Sequence, residues 1–193
     1  MNKPATETRQ HILDVAKALM AQKGYTSVGL AEVVAAAGVP KGSFYYYFKS
    51  KEEFGQALLE EYFSEYLARI DGLLTGTAPA AERLMVYFRY WKDTQCSDRL
   101  DQKCLVVKLA AEVCDLSEGM CAVLHRGTQA IVMRLATCVD QGHADGSIPS
   151  CMPSLALGAA LYQLWLGASL MMKIGSSTEP FDTALDMTRR QLR

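Results

Sequence analysis

The stretch Val28 to Lys51, VGLAEVVAAAGVPKGSFYYYFKSK, constrains the fold of this chain more than any other. Leu30, Val33, Val34 and Ala37 recur at helical spacing, so Val28 to about Ala36 reads as a short helix with one apolar face. Gly38 follows at once. Glycine enters the left-handed region without steric cost, so it can end that helix in a sharp turn. Pro40 then suits the opening of a second helix, Lys41 to Tyr47. That helix is too short to stand alone and must be held by packing. Phe44 and Phe48, four apart, face inward and anchor it. Lys41, Gly42, Ser43, Tyr45, Tyr46 and Tyr47 are left to be presented, a cationic, hydroxylated and aromatic surface. A helix that enters the DNA major groove needs such a surface, and Gly42 lets the backbone come close. Lys49 and Lys51 open the next helix, where backbone N–H groups and the Lys51 charge meet a phosphate. Read otherwise, FYYYF is a core aromatic cluster, with two of its five rings core on either reading.

A family resemblance favours the first reading. Gly24-Tyr25, Ala37-Gly38-Val39, Lys41-Gly42, Phe44-Tyr45, Phe48 and Lys51-Glu52-Glu53-Phe54 resemble the helix-turn-helix of the tetracycline-repressor (TetR) family over about residues 8–57. The resemblance implies a double-stranded DNA operator as partner. Where the family has Thr or Ser opening its second helix, this chain has Val28 and Gly29, which leaves Thr26 or Ser27 as the expected cap.

Charge supports the same placement. The chain as a whole carries a net charge of −1, which argues against a general nucleic-acid binder. Residues 1–55, however, hold seven Lys/Arg against five acids, so the basic excess lies where phosphates would be met. The excess is modest, and binding is expected to use two copies on one DNA. The opening MNKPATETRQ has no apolar run, so no secretory leader is expected and the expected location is cytoplasmic. The six cysteines lack CxxC spacing, so neither a metal site nor a cofactor is expected and the thiols are read as reduced.

Taken in order, Thr6 to Lys23 reads as a helix capped by Thr6, with Ile12, Val15, Ala16, Leu19 and Met20 as its apolar stripe. Lys51 to about Leu74 is long and amphipathic, about 35 Å at 1.5 Å per residue. Pro79 to Thr94 is another helix, 95–102 is irregular, and Lys103 to Val113 is helical. A D-x-x-E box, Asp115 to Glu118, is expected to start a helix that runs to about Gln141. A loop over 142–150 precedes the apolar helix Pro153 to Ile174 and a last amphipathic helix, Phe181 to Leu192. The expectation is an all-α chain of about nine helices. A three-helix DNA-binding head over 1–50 would precede a sensing and dimerisation body over 51–193. Leu155 to Met172 carries no charge, yet small residues and Gln163 interrupt it and its neighbours are amphipathic, so no membrane is expected. The family resemblance implies instead that the last two helices pair with their twins in a homodimer, with Gly158, Ala159, Gly167 and Ala168 allowing close approach. A two-fold dimer fits a palindromic operator.

Two inputs compete as the switch. The thiol reading rests on Cys104, expected in the first turn of a helix beside Lys103 and one turn from Lys108, a setting that favours a reactive thiolate. The plain alternative is a small buried core cysteine. Cys114, with Glu112 and Asp115 beside it, is less favoured; Cys121 has His125 at i+4, and Cys96, Cys138 and Cys151 have no assigned role. CLVVKLAAEVCDLSEGM (104–120) and ALYQLWLGASLMMKI (160–174) resemble segments of a family member that answers reactive electrophiles through cysteine. That resemblance implies Cys104 as the sensing thiol and Cys114 as second choice. Lys173, at the end of an apolar helix, is either a lysine reaching for water or a partner of the Cys104 sulfur. The other input is a reversible aromatic or cationic small molecule held by Tyr87, Phe88, Trp91 and Tyr162, with Met85 and Met133; these residues are equally readable as core. A thiol enzyme using Cys104 with His125 or His143 is the reading of a different class, and it lacks a visible third partner.

Overall fold

The computed structural model describes residues 5–99 and 103–193. Among them are nine α-helices and no strand: α1 (Ala5–Lys23), α2 (Leu30–Ala36), α3 (Lys41–Tyr47), α4 (Lys51–Leu74), α5 (Ala80–Cys96), α6 (Leu105–Leu116), α7 (Glu118–Asp145), α8 (Ser154–Gly175) and α9 (Glu179–Gln191). The all-α architecture is the expected one.

Several boundaries differ, each for a local reason. α2 begins at Leu30, with Gly29 as N-cap and no side-chain cap. Neither Thr26 nor Ser27 caps it, because the Thr26 hydroxyl is taken by Glu112 of α6. α6 runs through Leu116, so Asp115 lies in its last turn and starts nothing. The break falls at Ser117, whose Oγ accepts from the Met120 N–H at 3.1 Å and caps α7. α5 continues to Cys96, two residues into the stretch expected to be irregular; positions 100–102 of that stretch lie outside the described residues. α7 extends to Asp145, where Gly146, at φ +74°, turns the chain.

The chain forms two compact units that cut across sequence order: residues up to Ser64 with Arg99–Gly127, and Glu65–Asp98 with Thr128–Arg193. In the first, α1 packs on α2 and on α6, and α2 packs on α3. Its core takes Ile12, Leu13, Ala16 and Met20 from α1, Val33 and Val34 from α2, and the rings of Phe44, Phe48 and Phe54. Those three rings meet at centroid distances of 4.9–5.3 Å, which is how so short an α3 is held. Leu13 and Ala21 of α1 are buried where Val15 and Leu19 are only half-buried, because α1 faces α6 as well as α2. Ser50 caps α4 by accepting from Glu53 N–H at 3.0 Å, and Glu53 in turn accepts from Lys49 N–H at 3.2 Å.

In the second unit α9 packs on α8 and on α5. Trp165 is fully buried between Phe88 and Phe181, with centroids at 4.8 and 5.7 Å. Both indole N–H groups are satisfied: Trp91 donates to Ser169 Oγ and Trp165 to Thr188 Oγ1, each at 3.0 Å. Gly158 is buried, and a Cβ there would meet the Ala136 backbone of α7 at 2.9 Å, so its smallness serves packing within the chain. α8 is long and apolar enough to cross a membrane by length and composition. Leu157, Leu161, Tyr162 and Trp165 of α8 are nonetheless spent on the protein core.

Candidate nucleic-acid interface and thiol sites

The turn into α3 is made by Gly38 at φ +66°, and Pro40 caps α3 in an extended conformation. With Phe44 and Phe48 buried, the remaining side chains of α3 point to solvent. Lys41 and Gly42 are exposed and Ser43 and Tyr47 half-buried. Tyr45 and Tyr46 are 56% and 77% exposed, although Tyr45 meets the Phe44 ring edge-on at 5.5 Å and Tyr46 the Tyr47 ring at 5.0 Å. The space where a Gly42 side chain would stand is empty, so another backbone can approach there. Of the α3 surface read from the sequence, the structure brings all six residues onto one short helix. Lys51 is different. Its ammonium lies 4.8 Å over the Tyr25 ring and donates to Tyr25 O at 3.4 Å, while the Tyr25 hydroxyl donates to Lys51 O at 2.8 Å. Burial, reinforced by the charges of Glu52 and Glu112, pushes the Tyr25 hydroxyl up to about 12. Lys51 therefore ties the end of α1 to the start of α4 as well as adding charge near the head.

The feature that sequence reading missed is Glu112. Its carboxylate, on α6, accepts the Tyr25 N–H at 3.1 Å, the Thr26 N–H at 2.6 Å and the Thr26 hydroxyl. These donors belong to the turn between α1 and α2, so α6 clamps the helix-turn-helix head at that turn. Burial alone would raise the Glu112 carboxyl. The hydrogen bonds from Thr26 and Tyr25 and the Lys108 charge outweigh it and hold the group below the usual carboxylate range. A second tie lies one turn further on, where the Ser117 hydroxyl donates to Glu52 in the first turn of α4.

α6 also carries the thiols. Cys104 is the N-cap of α6 rather than a first-turn residue, and its thiol makes no capping bond. It is 5% exposed, and Tyr62 Oη donates to its sulfur at 3.7 Å. Lys108, one turn on, is half-buried. Cys114, at the other end of α6, is exposed. The Cys121 thiol of α7, then burial and the charge of Asp115, push the Cys114 thiol up to about 11. Cys138 is buried and donates to Ala80 O at 3.7 Å; its thiol is pushed up by burial. Cys96 and Cys151 are exposed. Lys173 is exposed in the last turn of α8.

The four rings offered as pocket walls lie in the core. Tyr87, Phe88, Trp91 and Tyr162 are all buried, and Trp91 packs on Tyr87 and Tyr162 at 5.9 and 5.7 Å. Aromatic side chains at that spacing fill one another's space. A cleft of about 540 Å³ opens elsewhere in the same unit, lined by Glu82, Met85, Val86, Arg89, Arg189 and Arg193 among others. Of the residues proposed for a pocket only Met85 reaches it, and its arginines suit an anion better than a cation.

Comparison with known proteins agrees with this architecture. A model described as bacterial regulatory proteins, tetR family, matches residues 12–58, and one described as tetracyclin repressor-like, C-terminal domain, matches residues 80–188. The HTH-type transcriptional repressor NemR of Escherichia coli (strain K12) is 40% identical over 180 residues, covering 93% of this chain and 90% of that protein. The HTH-type transcriptional repressor DhaR of Mycobacterium sp. (strain GP1) is 35% identical over 182 residues, covering 93% and 89%. The crystal structure of reduced E. coli NemR superposes with a TM-score of 0.92 at 37% identity, covering 97% of both chains. With its helix-turn-helix and its C-terminal region both matched, this chain belongs to the tetR family of bacterial regulatory proteins.

Proposed function

We propose that the chain is a homodimeric transcriptional repressor. It binds a palindromic operator through α3 and releases it when Cys104 is modified by an electrophile or oxidant. The observation that carries this reading is that one helix, α6, has Cys104 at its start and the Glu112 clamp on the head near its end. Thiol and head are thus two ends of one element in one compact unit.

The chemistry runs from the sulfur outward. The Tyr62 hydroxyl already points its proton at Cys104, the partner a negative sulfur would use. An adduct adds atoms at a site that is 5% exposed and has no room for them. The start of α6 must move, and the helix carries Glu112 with it. Loss of the three hydrogen bonds to Glu112 frees the turn between α1 and α2, which supports α3. Lys41, Gly42, Ser43, Tyr45, Tyr46 and Tyr47 are the operator-facing residues on this reading, with Lys51 near a phosphate. The expected fall in affinity is tenfold to a hundredfold, about 1.4–2.8 kcal/mol.

A second copy is the natural cover for α8 and α9. Leu170, Met171 and Ile174 of α8 and Met187 of α9 are 40–70% exposed, more apolar surface than a lone chain leaves bare. A two-fold pair of heads would meet half-sites about one helical turn apart. The reversible-ligand reading is favoured only by the arginine-lined cleft, which points to an anionic compound. A thiol enzyme using His143 gains nothing from the geometry, since His143 Nδ1 is engaged with Ser154 Oγ at 3.3 Å.

Fluorescence anisotropy on DNA upstream of the chain's own gene tests the reading, before and after one equivalent of N-ethylmaleimide. Wild type should bind and release, while Cys104→Ser should bind and stay bound. Release by both proteins, or by neither, overturns the assignment of Cys104.

A further inference from the structure

We propose that the cleft between α5 and α9 is a binding site for a small aliphatic carboxylate. Arg89 and Arg189 hold its charge, and its chain lies on Met85, Val86 and Leu192. The site depends neither on Cys104 nor on the release of DNA.

α5 and α9 pack on each other, and their charges are matched at one end only. Where α5 closes and α9 opens, Lys92 donates to Asp182 across the pair. About two turns further along α9 the match is lost. There Arg189 and Arg193, one turn apart, line the cleft of about 540 Å³ together with Arg89 of α5. Glu82 is the one carboxylate side chain in that lining. Arg189 meets Asp186 of its own helix at 2.7 Å, while Arg89 and Arg193 make no ion pair among the described residues. Three guanidiniums against one carboxylate leave the cleft positive. Like charges gathered around one cleft repel, and an anion laid between them removes that repulsion.

The apolar part of the cleft is made of chains rather than rings. Met85 and Leu192 are buried beneath it, and Val86 is 45% exposed on its wall. An aliphatic carboxylate answers both halves of the lining. Its two oxygens suit the planar fork of a guanidinium, and its chain covers the apolar wall. The volume lies in the range that holds a small organic molecule, about 300–1,000 Å³. The site also faces away from the surface that a second copy would cover. Met187, exposed on α9, comes two residues before Arg189 and so lies about 200° away round the helix. Bound between Arg89 and Arg189, the carboxylate ties α5 to α9 at the end where their own side chains do not.

The test titrates octanoate into full-length protein by calorimetry and follows the melting temperature. Octanoate should bind saturably, one per chain, and raise the melting temperature. Arg89→Gln and Arg189→Gln should each weaken binding about tenfold. Val86→Asp, which sets a carboxylate on the apolar wall, should abolish it. All three side chains are exposed, so each variant should melt with the wild type when no ligand is added. Octan-1-ol and octyltrimethylammonium should not bind, and acetate should bind at least about tenfold more weakly than octanoate. No saturable binding of octanoate, or variants that bind it as wild type does, overturn the site. Octan-1-ol that binds as tightly as octanoate overturns the role of the arginines. Acetate that binds as tightly makes the cleft an adventitious anion site only and overturns the ligand class.

Discussion

In the unit that carries α8 and α9, Trp91, Trp165, Phe88 and Phe181 stack into one block, and the two indole N–H groups are closed by Ser169 and Thr188 inside it. In the unit that carries the head, the rings of Phe44, Phe48 and Phe54 are just as buried, and polar groups tie the helices that reach the head. Glu112 meets Tyr25 and Thr26, Ser117 meets Glu52, Lys51 meets Tyr25, and Tyr62 meets Cys104. Stacked rings give up their energy gradually and in all directions. A charged hydrogen bond is lost over a shift of about an ångström, so polar junctions convert a small displacement into a discrete change. The ring-packed unit has polar ties too, Arg134 to Asp71 and Ala80 N–H to Asp145, but only in the head unit does such a tie share a helix with the proposed sensing thiol.

The largest expected effect lies in the stacked block. Trp165→Ala should cost about 3–5 kcal/mol of folding stability, read as a lower urea midpoint. A loss under about 1 kcal/mol would mean that this block is not what fixes its unit. Next is the clamp. Glu112→Ala should lower operator affinity about tenfold and stability by about 1–3 kcal/mol, because two backbone N–H groups lose their acceptor. Unchanged affinity would show that the Glu112 clamp does not govern the DNA-binding surface.

The clamp also has a pH signature. The folded Glu112 carboxyl sits below its ordinary range, so the unfolded chain binds its proton first as the pH falls. Its contribution is fully present above the ordinary carboxylate value, about 4.3, and is lost as pH drops through the lowered folded value. The stability gap between wild type and Glu112→Ala should therefore hold steady from about pH 7 to 5 and shrink below about pH 4. A gap that persists at about pH 3 would show that the hydrogen bonds to Glu112 do not depend on its charge. The smallest effect on stability is expected at Tyr46, which is 77% exposed. Tyr46→Ala should leave the urea midpoint within about 0.5 kcal/mol of wild type yet weaken operator binding. Equal binding would remove Tyr46 from the interface.

What was legible in the sequence divides along the same line. α3 and α4 have the expected bounds, because Gly38, Pro40 and the pair Phe44 and Phe48 are local signals with local causes. The corner after α6 was misplaced because two capping patterns overlap there. Ser117 prevails over Asp115 through its bonds to Met120 and to Glu52, sixty-five positions away in sequence. Thr26 read as a cap for α2, but Glu112 claims it from eighty-six positions away. Periodicity reports which face is buried. It is silent on which polar group answers another across the fold, and in this protein those pairings are the candidate switch.

The central claim is that α6 carries a change at Cys104 to the head through Glu112. Hydrogen exchange at the Tyr25 and Thr26 amides, the two N–H groups that Glu112 holds, tests it most directly. Both should be protected in reduced protein and exchange faster after alkylation by N-ethylmaleimide in wild type, but not in Cys104→Ser. Alkylation that releases operator while these two amides stay protected would contradict the claim.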